Sequence, residues 1–217
     1  MDIEQARFNM IEQQIRPWDV LDIDVLRVIE DTPRELFVPA KHKKLAFSDL
    51  EIPLTHDQNM MAPKIEARML QALSIQPGDD ILEIGTGSGF VTACLAKLGK
   101  HVDTIEYHED LSEQAARNLS QQQLHNISHD VKDILNNPFS GKLYDAIAVT
   151  ASMPVYNSMF EQYLKENGRL FVIAGNAPVM QAKLIRHVGK HGNTETNLFE
   201  TNLLPLIGID TPNTFTL

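Results

Sequence analysis

The sequence predicts a doubly wound α/β fold: a mostly parallel sheet, an antiparallel hairpin toward the C-terminus and an α-helical cap at the N-terminus. Three observations predict it. From Pro77 onward, short apolar runs alternate with helical stretches, the pattern of βαβ units whose parallel strands are covered on both faces. The first of those runs, Ile81-Leu82-Glu83-Ile84, passes straight into the glycine-rich turn Gly85-Thr86-Gly87-Ser88-Gly89. The residues before Pro53 carry helical rather than strand spacing.

In chain order, Ile3, Ala6 and Met10 recur at helical spacing, and Leu21, Val25, Val28 and Ile29 do so again before Pro33 breaks the pattern. Pro53 to Ala62 has no periodicity and reads as a loop, ending at Pro63, which suits the first turn of a helix. Ile65, Met69, Ala72 and Leu73 supply that helix's apolar face. Strands are expected at 81–84, 102–106, 126–130, 144–150 and 169–174, with helices near 88–98, 109–123 and 155–166 between them. Leu184 to Val188 and Glu195 to Thr201 flank Gly189-Lys190-His191-Gly192-Asn193 and read as a hairpin. Asp210 to Leu217, with Pro212 and three threonines, reads as an extended or poorly ordered tail. The expected organisation is one domain, with residues 1–76 as cap and loop, 77–208 as the α/β core and 209–217 as the tail.

Composition narrows the function classes. A chain of 217 residues with 43% apolar content builds one sizeable core, which excludes disordered and fibrous classes. Nineteen basic against 29 acidic residues give a net charge of −10, so nucleic acid and anionic membranes are not expected partners. Cys94 is the sole cysteine, so no internal disulfide forms, and a reducing, cytoplasmic setting is expected. Met1-Asp2-Ile3-Glu4-Gln5 lacks the basic and apolar regions of a signal peptide, and no apolar run approaches the roughly 20 residues that span a bilayer.

The turn at 85–89 reads as a ligand cradle. Glycines let the backbone bend tightly and approach a ligand closely, while the start of the following helix offers unpaired N–H donors. Twenty-one residues beyond Gly85, at the end of the second expected strand, stands Glu106, placed to accept hydrogen bonds from both hydroxyls of a ribose. The G-x-G-x-G spacing displaces the third glycine of the dinucleotide pattern G-x-G-x-x-G, which counts against an NAD-dependent oxidoreductase. Glu83, beside the glycines, suits a cationic ligand better than a pyrophosphate, and a sulfonium nucleoside meets both requirements.

Glu83-Ile84-Gly85-Thr86-Gly87-Ser88-Gly89 resembles the first motif of class I S-adenosylmethionine-dependent methyltransferases, a Rossmann-like fold, and Glu106 falls where their ribose-binding acid falls. The resemblance implies that Gly85, Gly87, Ser88 and Gly89 line the methionine part, with Glu83 near its amino group. It also implies that Glu106 holds the ribose and that Asp133 lies near the adenine; Thr86 and Thr150 complete the expected cofactor-binding set. The likeness extends to the protein-L-isoaspartate O-methyltransferases over about residues 5 to 208. Thr32-Pro33-Arg34-Glu35-Leu36-Phe37-Val38-Pro39, Pro63 to Met69, Tyr144 to Ala151 and Leu204-Pro205-Leu206 are similar to that family's segments, in family order. What the resemblance implies is S-adenosyl-L-methionine as cofactor, carboxyl O-methylation of L-isoaspartyl residues in damaged proteins, and Asn59, Met60 and Met61 beside the acceptor.

One departure stands out: the family carries Thr-Ile-Ser ahead of the helix, and here those places read Asn59-Met60-Met61, so Met61 occupies the serine position. A thioether cannot donate the hydrogen bond of a hydroxyl. An acceptor carboxylate is already anionic at pH 7 and needs no general base, so alignment carries most of the rate. Proximity supplies about 7–11 kcal/mol against about 0.5–1.5 for one neutral hydrogen bond. A different carboxylate or hydroxyl acceptor, or a protein that binds the cofactor without catalysis, remain the alternatives. Elsewhere, Lys41 to Lys44 reads as a solvated face, the His125/His129 and His187/His191 pairs as non-metal, Cys94 as buried rather than reactive, and Trp18 as a cap for the helices or a partner contact.

Overall fold

The structure is a computed structural model and describes residues 2–137 and 141–209. Helix α1 (Ile3–Met10) starts where the Asp2 carboxylate accepts from the Gln5 N–H, and it runs on through a π-helical turn (Ile11–Ile15) and a 3-10 turn (Arg16–Trp18). Helix α2 (Ile23–Glu30) is capped by Asp22 and buries Val25, Leu26, Val28 and Ile29 along one stripe. Two more 3-10 turns (Arg34–Leu36 and Ala40–Leu45) complete the cap.

The stretch expected to be a structureless loop contains a miniature antiparallel pair, β1 (Ile52–Pro53) with β2 (Asn59–Met60), in register Ile52 to Met60. Two-residue strands leave no periodicity to read, and here His56 and Asp57 at positive φ turn the chain back. Helix α3 (Pro63–Leu73) then places Pro63 in its first turn, as the sequence indicates.

A seven-stranded sheet follows, made of β3 (Asp80–Ile84), β4 (His101–Glu106), β5 (Ile127–Val131), β6 (Tyr144–Met153), β7 (Leu164–Asn176), β8 (Val179–His187) and β9 (Asn193–Thr201). Its order is β5-β4-β3-β6-β7-β8-β9, parallel from β5 to β7 and antiparallel from β7 to β9. Helices α4 (Phe90–Leu98) and α5 (Glu109–Ser120) form the first two crossovers. Period-two alternation splits the core across the sheet. Ile81, Ala146 and Ala148 pack on one face with the cap, Phe90 and Cys94, while Leu82, Ile84, Ile147 and Val149 pack on the other with Phe160 and Tyr163.

The expected doubly wound, mostly parallel sheet with its antiparallel C-terminal hairpin and helical cap is what the structure shows. Three further expectations need correction. The helix foreseen at 155–166 is a 3-10 turn over Ser158–Tyr163: Leu164 already pairs with Tyr144, and the buried Phe160 and Tyr163 stand three apart, the 3-10 period. Strand β8 starts at Val179, not Leu184, so the antiparallel region is wider than one hairpin. Helix α4 starts at Phe90, not Ser88, because Gly89 is its cap with φ +86°. The tail at 210–217 lies outside the described residues. Trp18 packs edge-on against Phe199 at 6.2 Å and carries Lys64 over its ring, tying the cap to β9. Cys94 is fully buried, and burial pushes its thiol up to about 12.

Candidate active site

Parallel strands β3 and β6 end side by side, and the order reverses there: β4 lies on one side of β3 and β6 on the other. Crevices form at such a switch point, outside the carboxyl ends of the strands. The chain leaving β3 bends through Gly85, Gly87 and Gly89 at φ +97°, +54° and +86°, values that side-chain-bearing residues adopt at a cost. The bend is tied down on both flanks. Gly85 N–H donates to Ile105 O at 2.8 Å, and Thr150 Oγ donates to Ile84 O at 3.0 Å and Gly85 O at 2.6 Å. A Cβ on Gly89 would press on Ala115 and Leu119, so that glycine lets α4 and α5 close on each other. A Cβ on Gly87 would meet only Leu54, at 3.5 Å, so the turn's middle faces open space.

Glu106, at the end of β4, organises the same turn. Its Oε2 accepts from the Gly87 N–H at 2.8 Å and its Oε1 from the Tyr107 and His108 N–H groups at 2.9 and 3.1 Å. Thr86 is buried, its hydroxyl 2.6 Å from that of Thr104, and Ser88 O accepts from the Asn118 amide at 2.9 Å. Glu83 lies fully buried beneath the turn. Its Oε2 accepts from the hydroxyls of Thr92 (2.5 Å) and Thr104 (2.6 Å), while Oε1 has no partner. Burial pushes the Glu83 carboxyl up to about 8, the two threonine hydroxyls hold it back, and nearby Glu106 adds to the rise.

Two crevices flank Gly85. One is lined by Ile105, Glu106, Tyr107, Asp133 and Ile134 with Leu206, an apolar slot with acids at its rim. Asp133 accepts from the Asn136 amide and from the Leu135 and Asn136 N–H groups, and these bonds, led by the Asn136 amide, hold its carboxyl below the usual carboxylate range. The other is lined by Asn59, Met60, Met61, Glu66, Gly85 to Ser88 and Thr150. A third, of about 530 Å³, lies between the 36–43 segment and α5 and reaches Gly87 and Ser88. The structure therefore brings Asn59, Met60 and Met61 against Gly85, Thr86, Gly87, Ser88 and Thr150, and sets Glu106 and Asp133 in the neighbouring slot. Gly89 and Glu83 sit behind the turn.

Sequence reasoning missed several residues that shape the site. Thr92 and Thr104 hold Glu83; Arg34 and Glu66 form a buried pair behind Met61; and His56 stacks on His108 at 3.9 Å while bonding Asp110 at 2.7 Å, clasping the 54–58 loop to the start of α5. Arg34 and Glu66 each lay in a quoted segment, yet they are 32 residues apart and nothing in the sequence pairs them.

A parallel sheet with a glycine bend at its switch point and an acid at the end of the neighbouring strand defines the class: a Rossmann-like, S-adenosylmethionine-dependent methyltransferase. Residues 5–208 match the family model for protein-L-isoaspartate (D-aspartate) O-methyltransferase. A protein-L-isoaspartate O-methyltransferase of Aliivibrio salmonicida is 35% identical over 205 residues, covering 94% of this chain and 98% of the relative. One of Herpetosiphon aurantiacus is 33% identical, covering 94% and 91%. A Plasmodium falciparum structure described as a protein-L-isoaspartate O-methyltransferase in complex with S-adenosyl-L-homocysteine shares the fold, with a TM-score of 0.79 over 95% of this chain and 98% of that one, at 21% identity. The chain belongs to the protein-L-isoaspartate O-methyltransferase family.

Proposed function

We propose that this chain methylates the free carboxylate of L-isoaspartyl residues in damaged proteins, using S-adenosyl-L-methionine. The observation that carries the reading is the single crevice in which the 59–61 segment faces the glycine turn and Thr150.

The residues present fit the cofactor. A fully buried carboxyl with one unpartnered oxygen, Glu83, waits beneath the turn, and a positively charged ammonium group would both satisfy it and draw its proton off. Glu106 has three of its roughly four acceptor positions engaged by backbone N–H groups, which leaves one for a ribose hydroxyl where the sequence suggests two. The apolar slot of Ile105, Tyr107 and Ile134 suits a flat base, with Asp133 at its rim to accept from an exocyclic amine. When bound, the cofactor supplies a methyl group on a cationic sulfur, open to in-line displacement.

The chain's own residues do the rest. Gly85, Thr86, Gly87 and Ser88 line the crevice toward the cofactor, Gly89 sets α4 against α5 behind them, Thr150 pins the turn, and Asn59, Met60 and Met61 wall the acceptor side. Met60 and Met61 are each 4% exposed and keep water from the acceptor, which strengthens the attraction between an anionic oxygen and a sulfonium. Asn59 is held by its amide donating to Glu51 at 2.9 Å. The net charge of −10 supports a peptide or protein partner over nucleic acid or an anionic membrane, and one buried free thiol supports a reducing, cytoplasmic setting. No helix among the described residues is long and apolar enough to cross a membrane.

An isoaspartyl peptide incubated with labelled methyl donor yields a base-labile methyl ester; no ester above the no-enzyme background overturns the reading. The thioether of Met61 favours a second reading, the same cofactor with another carboxylate or hydroxyl acceptor. On that reading Met61→Ser raises isoaspartyl turnover.

A further inference from the structure

The crevice on the acceptor side is small. Among Asn59, Met61, Gly85 and Thr150 it encloses about 30 Å³, the share of one water molecule in the liquid, so it admits the tip of one side chain and not the chain that carries it. Its lining sets its neighbours in order. It shares Gly85 with the slot of Glu106 and Asp133, and it shares Gly87 and Ser88 with the groove of about 530 Å³ between the 36–43 segment and α5. The slot and the groove have no lining residue in common. With the cofactor's base in the slot on one side, a polypeptide whose acceptor side chain enters the crevice finds room on the other side, in the groove. That volume lies within the roughly 300–1,000 Å³ of pockets that hold ligands.

The groove's lining selects for a particular chemistry. Leu36, Val38, Pro39, Leu54 and Leu111 give it apolar walls, suited to the stems of side chains. Asp110, the one acid among its lining residues, is spent on His56 at 2.7 Å and on the Thr55 hydroxyl at 3.5 Å. Arg117 is offset by Glu113 at 3.5 Å. Lys43 also lines the groove and has no carboxylate partner among the described residues; neither have Lys41 and Lys44, exposed on the same Ala40–Leu45 turn. The run that the sequence presents as a solvated face thus places uncompensated positive charge along one edge of this groove.

We propose that the groove binds the stretch of substrate chain that adjoins the isoaspartyl residue, and that Lys43, with Lys41 and Lys44 beside it, selects stretches carrying Asp or Glu. The proposal rests on the isoaspartyl reading above. A chain of net charge −10 repels an acidic segment over most of its surface, so a local run of unpaired lysines steers that segment to one place. Once the flank lies in the groove, its neighbouring isoaspartyl carboxylate stands at Gly87 and Ser88, at the entrance to the acceptor crevice. The charge of the flank, more than its exact sequence, then decides which damaged segments bind.

The test is kcat/KM for isoaspartyl peptides with a run of Glu, Ser or Lys on the N-terminal or the C-terminal side of the isoaspartyl residue, with S-adenosylhomocysteine affinity measured on the same samples by calorimetry. On the side that enters the groove, wild type favours the Glu run over the Lys run by about fivefold at low salt, through KM, and the preference fades at about 0.5 M salt. Lys43→Glu lowers this ratio, while Lys190→Glu, the same change of charge on the Gly189–His191 turn outside the groove, leaves it as in wild type. Ala40→Trp fills the groove and raises KM for the Glu-run peptide, but not for a single isoaspartyl residue blocked at both ends, which is too short to reach it. Ester formation without a charge preference, or with one that Lys190→Glu moves as far as Lys43→Glu, or an Ala40→Trp protein that treats both acceptors as wild type does, overturns the groove and leaves the isoaspartyl reading standing. No ester from any peptide, with cofactor product still bound, overturns both.

Discussion

Adding one methyl group at Gly85 separates the structural work of the glycine turn from its work as a cradle. Gly85→Ala forces φ +97° on a residue with a side chain, at about 1–2 kcal/mol. Its Cβ also collides with the Thr150 hydroxyl, which now donates to Ile84 O and Gly85 O. Displacing that hydroxyl forfeits its single proton's hydrogen bond, shared between the two carbonyls and worth about 0.5–1.5 kcal/mol, for a total of roughly 1.5–3.5 kcal/mol. A domain of this size shifts by about 2–4 °C per kcal/mol, so the melting temperature falls by roughly 3–14 °C. Gly87→Ala is the comparison: its φ of +54° carries the same backbone cost, but its Cβ meets only Leu54 at 3.5 Å, so it melts above Gly85→Ala. Thr150→Ala in the Gly85→Ala background removes the colliding hydroxyl and recovers part of the loss, a coupling of about 0.5–3 kcal/mol in a double-mutant cycle. Thermal melts by circular dichroism read all three. A Gly85→Ala protein that melts no lower than Gly87→Ala, or that Thr150→Ala does not rescue, refutes the reasoning.

Other perturbations have equally definite outcomes. Glu106→Ala strips three backbone N–H groups of their acceptor and removes the proposed ribose contact, so S-adenosylhomocysteine affinity falls at least tenfold by calorimetry; unchanged affinity removes Glu106 from the cofactor site. Arg34→Ala leaves Glu66 buried without its partner and lowers stability by about 3–5 kcal/mol in urea unfolding, whereas Arg34→Met with Glu66→Leu recovers most of it; a double variant as unstable as the single would show that the damage lies elsewhere. Glu66 and Glu83 bind protons more tightly folded than unfolded, with folded values of about 7 and 8 against 4.5. Their stabilisation is full below pH 4.5 and declines as pH rises through 7 and then 8. Melting temperatures should fall from pH 5 to 8.5, with Glu83→Gln flattening the upper part; a rise across that window contradicts the buried neutral acids.

The sequence by itself determined the parallel strands, the glycine turn and the burial of Cys94, because each is written in contiguous residues. Apolar runs such as Ile81 to Ile84 and Tyr144 to Thr150, short and followed by turn residues, read as buried strands, and alternating glycines after one of them demand a backbone that other residues resist. Short elements were less legible: β1 and β2 have two residues each, and the turn at 158–163 follows a period of three that a helical reading absorbs. Within the site, Gly85, Gly87 and Glu106 stand out as a spacing, yet the way Glu106 spends its oxygens on Gly87, Tyr107 and His108 follows from β3 and β4 lying side by side. Glu66 is a single acid among the buried residues of α3, and only the tertiary structure brings Arg34 to it and both of them to Met61. Hydrophobic burial follows a local period and can be read along the chain; the partner that makes a buried charge tolerable comes from another segment, and only folding decides which one it is.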